Sequence, residues 1–119
     1  MVAEIVQFLE TQTEITDILW DRLYYGIPDE VQTGIYATFN KVWHNENTIE
    51  RRDRIEIKIF WVSWTSYDTL TSIEKKIFEA LRYYRENWVY KIINSNSFNG
   101  YSEEGNKMVM RDILVYYTY

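Results

Sequence analysis

The side chains that could carry out acid–base or metal chemistry are few and far apart in this sequence. His44 is the only histidine and there is no cysteine, which excludes a histidine-rich metal site and a thiolate zinc site. A Ser-His-Asp relay would have to run through His44, which follows Trp43 at the start of a polar segment. We therefore interpret His44 as a surface residue rather than a catalytic one.

Two carboxylate pairs have a spacing that acid–base catalysis could use. Asp17 and Asp21, four residues apart, would share a helix face, but their segment is ambiguous and Arg22 follows directly. Glu103 and Glu104 lie in a predicted hairpin tip, where two solvated acids are ordinary. The glycines form no G-x-G-x-x-G or G-K-[ST] motif that would cradle a phosphate. We predict no catalytic residue, no metal site and no cofactor.

Composition is that of one domain rich in side chains suited to protein contacts. The 119 residues include 11 Tyr and 5 Trp, but only four Gly and one Pro. Tyr and Trp are enriched at protein interfaces, although they are also good strand residues. The sequence has no basic N-terminal region typical of a signal peptide and no apolar run that could span a bilayer. We expect residues 1–119 to form a single soluble domain.

The formal net charge of −5 is concentrated near the N-terminus. Residues 1–34 carry seven acids and a single basic residue, Arg22, so the rest of the chain is close to neutral. Affinity for nucleic acid comes mostly from Lys and Arg, so an acidic domain is a poor default binder of phosphate backbones. The one basic cluster, Arg51 to Arg54, is flanked by Glu50 and Glu56. We interpret it as a solvated loop whose charges pair with one another.

Apolar spacing predicts two helices. Val2 to about Thr11 has apolar residues three and four positions apart on one face. A longer amphipathic helix follows Ser66 or Asp68, either of which could cap it, and is expected to end near Glu86 or Asn87. The helices should therefore each present one apolar stripe to a core.

Strands are predicted where apolar and polar residues alternate or where β-branched and aromatic residues cluster. These segments are residues 35–43, 54–64, 88–93 and 108–119. The first should place four side chains on one face: Ile35, Ala37, Phe39 and Trp43. Residues 15–25 fit either a helix or an extended arm, and a turn at 26–29 closes them.

Two long polar loops are expected between these strands. His44 to Asp53 would join the first two strands, and Ser95 to Asn106 would precede the last one, with turns at Asn99-Gly100 and Gly105-Asn106. The predicted fold is α+β. It has a mainly antiparallel β-sheet of about four strands, with an N-terminal helix and one long amphipathic helix packed on it.

This order of elements resembles the tail-completion proteins of long-tailed bacteriophages, which include tail terminators and small head–tail joining proteins. The resemblance is carried by Arg54 to Ser63, by Asp68 to Ile77 and by the closing Arg111 to Tyr117. It spans most of the chain, and the acidic, aromatic segment Ile15 to Tyr25 departs from it.

The resemblance implies a non-enzymatic structural subunit of a phage tail. Such proteins form a homo-oligomeric ring, commonly of six copies, that caps the tail tube or joins the tail to the head connector. DNA passes through the ring without specific binding, and no membrane is involved. The subunit would be found in the virion after assembly in the host cytoplasm.

Protein contacts are predicted on the two polar loops and on the C-terminal tyrosines. The candidate residues are His44, Glu46, Glu50, Arg51, Arg52, Tyr101, Glu103, Glu104, Tyr116, Tyr117 and Tyr119. The tyrosines could equally be the half-buried rings of a closing strand.

Two other functions remain open from the sequence. An acidic protein-binding module, such as an inhibitor of a nucleic-acid-binding protein, would be a monomer with a continuous acidic face. A small enzyme would need a concave pocket that holds Asp17, Asp21 or His44.

Overall fold

The computed structural model describes residues 1–19, 22–26, 34–47, 49–61, 67–101 and 107–118. The elements in chain order are α1 (Val2–Glu10), α2 (Thr13–Leu19), β1 (Leu23–Tyr25), β2 (Ile35–Glu46), β3 (Glu50–Trp61), α3 (Tyr67–Leu81), β4 (Val89–Tyr101) and β5 (Lys107–Thr118). The strands form one sheet in the order β1-β2-β3-β5-β4.

The α+β class is confirmed, and the sheet is larger than predicted. Within the described residues it has five strands rather than about four, because β1 adds to the edge of β2. β1 runs parallel to β2, whereas the other neighbouring strands are antiparallel. The ambiguous segment 15–25 therefore contains both of its alternatives, since α2 is followed by this short strand.

The helices cover one face of the sheet. Ile55, Ile57 and Ile59 of β3 are at most 2% exposed, and α1 and α3 bury their apolar stripes in the same core. We call this the covered face. The alternate residues of β3, such as Glu56 and Lys58, lie on the opposite, open face, because successive side chains in a strand point to opposite sides.

An ion pair joins α3 to the sheet across the covered face. Glu74 Oε1 accepts hydrogen bonds from Arg111 Nε at 2.7 Å and from Ser97 Oγ at 2.9 Å. The Glu74 side chain is only 3% exposed, and the Arg111 guanidinium also lies 4.6 Å from the centre of the Phe78 ring. The pair places α3 across both β4 and β5.

The long helix ends earlier than predicted, at Leu81 rather than near Glu86 or Asn87. After Leu81 the helical hydrogen bonding gives way to a tighter turn, in which the Tyr84 N–H donates to the Leu81 carbonyl at 3.0 Å. Asn87 and Trp88, with positive φ angles of 53° and 67°, then turn the chain into β4. Of the two proposed caps, Asp68 lies inside the first turn, and Ser66 is outside the described residues.

The predicted polar loop from His44 to Asp53 is instead a tight β-hairpin. β2 continues to Glu46 and β3 begins at Glu50. Asn47 makes the turn, because its Oδ1 accepts from the backbone N–H groups of Ile49 at 3.0 Å and Glu50 at 2.7 Å. Polar residues can extend a strand when they pair with residues of the neighbouring strand. Polarity alone therefore predicted a loop wrongly here.

The second predicted loop is also largely strand. Asn99 and Gly100 lie within β4, opposite Val109 and Met108 of β5, so the turn predicted there is wrong. The neighbouring strand supplies ladder hydrogen bonds that outweigh the local turn preference. The second predicted turn, at Gly105-Asn106, is outside the described residues.

A β-bulge in β2 overturns one predicted side-chain direction. Lys41 pairs with Ile55, but Trp43 pairs with Arg54, so Val42 is the extra residue. Trp43 therefore lies on the open face with Arg54, and it does not share the face of Ala37 as the simple alternation predicted.

Candidate interaction surface at the hairpin end of the sheet

The structure brings together predicted contact residues that are far apart in sequence. In the β3–β5 ladder, Arg51 is opposite Tyr117 and Arg52 is opposite Tyr116. The first residues of β4 join them, since Lys91 is opposite Tyr116. We call this region the hairpin end: residues 42–54 of the β2–β3 hairpin, residues 114–118 of β5 and residues 88–93 at the start of β4.

On the covered face, the hairpin end is held by a buried carboxylate. Asp53 is 0% exposed, and its Oδ1 is hydrogen-bonded to His44 Nδ1. The Tyr117 hydroxyl donates to Asp53 Oδ2 at 3.2 Å. Burial, followed by the charge of Asp53, raises the pKa of Tyr117 to about 12. These contacts join the ends of β2, β3 and β5.

His44 lies at the surface with a third of its side chain exposed, and its ring is engaged on both sides. Its Nε2 lies 3.4 Å from Glu46 Oε2, and the same Glu46 oxygen is 3.2 Å from Arg51 Nε. No group of three or more His, Asp or Glu side chains in the described part of the chain is arranged to hold a metal ion. These polar contacts link the end of β2 to the start of β3.

On the open face, the hairpin end forms a depression of about 480 Å³. Its lining combines apolar, aromatic and cationic side chains: Val42, Trp43, Arg52, Arg54, Leu114 and Tyr116. The guanidinium of Arg52 lies 5.8 Å from the centre of the Tyr116 ring, and Lys91 Nζ lies 5.5 Å from it. A cation above an aromatic ring is attracted by the negative face of that ring.

The cations of this open-face depression are anchored and remain accessible. Arg54 donates from Nη2 to Asp112 Oδ2 at 2.7 Å, with 42% of the Arg54 side chain exposed and only 7% of the Asp112 side chain. Arg52 Nε is 3.5 Å from Glu50 Oε1, and Glu50 also accepts from the Tyr90 hydroxyl. The carboxylate of Asp112 thus lies beneath the cation, and the surface presents positive charge.

Exposed apolar side chains are concentrated at the same end. Val42 is 51% exposed and Trp43 45%, while Ile49 at the hairpin turn is 74% exposed. Trp88 is 71% exposed and is held by a backbone conformation that bulky residues rarely adopt, with φ at 67°. Large apolar side chains grouped on a surface mark interaction sites.

Not all predicted contact residues belong to this surface. Tyr101 lies at the other end of β4, where its ring is 6.1 Å from that of Tyr67. Glu103, Glu104 and Tyr119 are outside the described residues.

Sequence reasoning predicted contacts for only two of the six lining residues, Arg52 and Tyr116. It assigned Trp43 to the core face, because a bulge cannot be predicted from alternation, and it interpreted Arg54 as part of a self-paired basic loop. It predicted no contact for Val42 or Leu114. The signal in the sequence was that aromatic residues and cations occur side by side in two separate strands. The strand register, which the sequence does not show, brings these residues together.

Of the acids considered for catalysis, Asp17 is exposed on α2, and Asp21, Glu103 and Glu104 are outside the described residues. Within the described chain, no helix has the length and apolar character needed to cross a bilayer.

Comparison with known proteins finds a similar fold among the solved structures. No protein-family model matches the chain, and no curated protein matches it. A chain of a solved structure described as the "Virion of native gene transfer agent (GTA) particle" has a similar fold, with a TM-score of 0.78 at 10% identity. The match covers 99% of this chain and 98% of the other. At this identity the likeness shows a shared fold over the whole length of both chains.

Proposed function

We propose that this protein is a non-enzymatic structural subunit of a phage-like virion, assembled as a homo-oligomeric ring at the tail. In this role it caps the tail tube or joins the tail to the head. The observation that carries the proposal is the fold shared with a chain of a virion particle over 99% of this chain and 98% of that one.

The hairpin end suits a subunit that works through protein contacts. It presents an aromatic and cationic depression on one face and an apolar residue, Ile49, at its turn. Exposed aromatic and branched side chains are costly in water, and burial against a partner recovers that hydrophobic free energy. In the ring, these groups contact neighbouring subunits, the tail tube or the head connector.

The charge of the chain suits a ring through which DNA moves. The net charge of −5 disfavours tight binding of phosphate backbones, so DNA passes without being held. Localisation follows from the same role: assembly in the host cytoplasm and a final place in the virion.

The native mass in solution tests the ring, by light scattering behind a sizing column with negative-stain imaging of the peak. We expect a closed particle of about six times the 14.5 kDa chain mass. A protein that stays at 14.5 kDa at millimolar concentration would contradict the homo-oligomeric ring.

One observation favours a second candidate, an acidic module that inhibits a nucleic-acid-binding protein. Exposed acids, Glu10, Glu14 and Asp17, line the α1–α2 pair, and residues 1–19 contain no Lys or Arg. This candidate requires a monomer that binds a basic protein one to one. The same light-scattering experiment separates the two, because a ring and a one-to-one complex have different masses.

A further inference from the structure

We infer that the open-face depression of one copy receives the acidic α1–α2 surface of the next copy, so that subunits join head to tail. The inference rests on the proposed function in its ring form and names the two surfaces that make the ring. Its basis is that the two surfaces have opposite charge, that both are exposed, and that every copy of the chain carries both of them.

The receiving surface is positive, aromatic and built for a partner with carboxylates. Arg52 and Lys91 lie beside the Tyr116 ring, and Arg54 and Trp43 also line the depression. The contact of Arg54 with the nearly buried Asp112 holds its guanidinium in place while 42% of that side chain stays exposed. Anchored arginines beside aromatic rings are typical of interface centres.

The donating surface carries the opposite charge. Glu10 ends α1, and Glu14 and Asp17 lie about one turn apart on α2; all three are exposed. The opposite side of α2 is anchored in the core by Ile15 and Leu19, which are at most 2% exposed. In the described part of the chain no salt bridge engages these three acids, so they are available to cations of a partner.

The two surfaces lie on opposite sides of the sheet, and this determines the kind of assembly. α1 and α2 pack on the covered face, whereas the depression is on the open face. A two-fold dimer uses the same patch on both subunits, so it could not join surfaces that face in opposite directions. In a head-to-tail row of subunits, one end has an unpaired depression and the other end an unpaired α1–α2 surface until these two meet and the ring closes.

A second copy fits the depression better than nucleic acid does. Aromatic rings with cations can also bind single-stranded nucleic acid. The contacts of Arg52 with Glu50 and of Arg54 with Asp112 weaken the attraction of both occupants alike. A phosphate backbone is bound by Lys and Arg side chains spread along its length. The depression instead gathers its cations in one place, which matches the three carboxylates of the α1–α2 surface.

Charge reversal with mixing tests the inference. The open-face variant carries Arg52→Glu and Lys91→Glu, and the helix variant carries Glu14→Lys and Asp17→Lys. Each variant alone should elute at the 14.5 kDa mass of one chain, because like charges then meet at every junction. An equimolar mixture should regain the wild-type mass, since each junction then pairs opposite charges. Recovery in the mixture also shows that both variants are folded.

A matched control changes the charge by the same amount elsewhere. Lys75→Glu with Lys76→Glu alters two exposed positions of α3 and should leave the native mass of the wild type unchanged. If the control dissociates as fully as the open-face variant, net charge rather than this contact governs assembly, and the inference is wrong.

The remaining outcomes separate this inference from the proposed function. If the wild type is a ring and neither variant dissociates, the ring stands and the assignment of its surfaces fails. If the wild type is a monomer at millimolar concentration, the ring itself fails. The inference is also overturned if the wild type binds a single-stranded oligonucleotide and the open-face variant keeps the wild-type mass but no longer binds it. The depression is then a nucleic-acid site.

Discussion

Strands β2, β3 and β5 run through two different environments, and the contrast divides the molecule into a core and a working surface. Under the helices, the covered face of β3 is Ile55, Ile57 and Ile59, which are at most 2% exposed. A few residues further along the same strand, the same face carries the ionisable residues Asp53 and Arg51. One set of strands therefore builds both regions.

The difference shows how a sheet can extend beyond its hydrophobic core. Beneath the helices, burial of apolar area stabilises the strands. At the hairpin end, hydrogen bonds and ion pairs stabilise the strands in place of apolar burial, as in the contacts of Asp53 with His44 and Tyr117. Polar contacts contribute less net free energy than apolar burial does, so the two ends should respond differently to substitution.

The largest expected effect is at the helix-covered end. Phe39 of β2 is 0% exposed, so Phe39→Ala should lower the free energy of unfolding by about 3–5 kcal/mol, through lost burial and the cavity left behind. Urea unfolding measures it. Val42→Ala on the same strand, at 51% exposure, is the control and should change it by less than about 0.5 kcal/mol. Equal effects would remove the distinction between the two ends.

The next largest effect is at the ion pair between α3 and the sheet. Glu74→Ala leaves the Arg111 cation, with 15% of its side chain exposed, without its carboxylate and should cost about 3 kcal/mol. Replacing both partners, with Glu74→Leu and Arg111→Met, should recover most of the loss. Thermal and urea unfolding compare the variants, and Glu79→Ala on the exposed side of α3 is the control. A double variant as unstable as the single one would contradict this account.

Removal of the buried carboxylate should loosen the hairpin end locally. Asp53→Ala leaves His44 and Tyr117 without their shared acceptor and should cost about 1–3 kcal/mol. Amide hydrogen exchange should accelerate in residues 44–53 and stay unchanged in α3. Uniform acceleration through α3 would show that the two ends unfold as one unit.

The pH dependence of stability should show the raised pKa of Tyr117. This pKa rises from 10.0 to about 12 on folding, so the neutral form is favoured in the folded state. The corresponding stability is fully present below pH 10 and is lost as pH rises towards 12. The Tyr117→Phe variant has no ionisable group at this position, so its free energy of unfolding should fall less than that of the wild type between pH 10 and 12. Parallel pH profiles would place Tyr117 in solvent.

The smallest effect on stability is expected at the hairpin turn. Ile49 is 74% exposed, so Ile49→Ser should change the free energy of unfolding by less than about 0.5 kcal/mol. If this residue contacts a partner, the same variant should weaken assembly in light scattering. A large loss of stability would mean that the turn belongs to the core region.

Local patterns predicted the elements that are long and periodic. The apolar spacing of Val2 to Leu9 predicted α1, and the spacing from Leu70 predicted the buried stripe of α3. Alternation predicted most of β3, and residues 108–119 were predicted as the long closing strand that β5 forms. These patterns succeed because the side chains that face a core recur at the period of the element.

The errors arose where a neighbouring strand overrides local preference. Polar residues from His44 to Asp53 and the Asn99-Gly100 pair both have turn or loop character, but strand pairing makes them part of the sheet. Part of the candidate site, Arg51 and Arg52 with Tyr116 and Tyr117, was predicted from residue type alone. Its wall at Trp43 could not be predicted, because it depends on the bulge.

The sequence by itself determined the α+β class, the acidic N-terminal segment and the absence of cysteine and histidine clusters, because these depend on composition and short-range periodicity. Only the tertiary structure decided which residues meet. Register pairs Arg52 with Tyr116, 64 positions later in the chain, and a single extra residue at Val42 turns Trp43 to the open face. A shift of one residue reverses every side-chain direction in a strand, so long-range pairing, rather than local preference, created the surface.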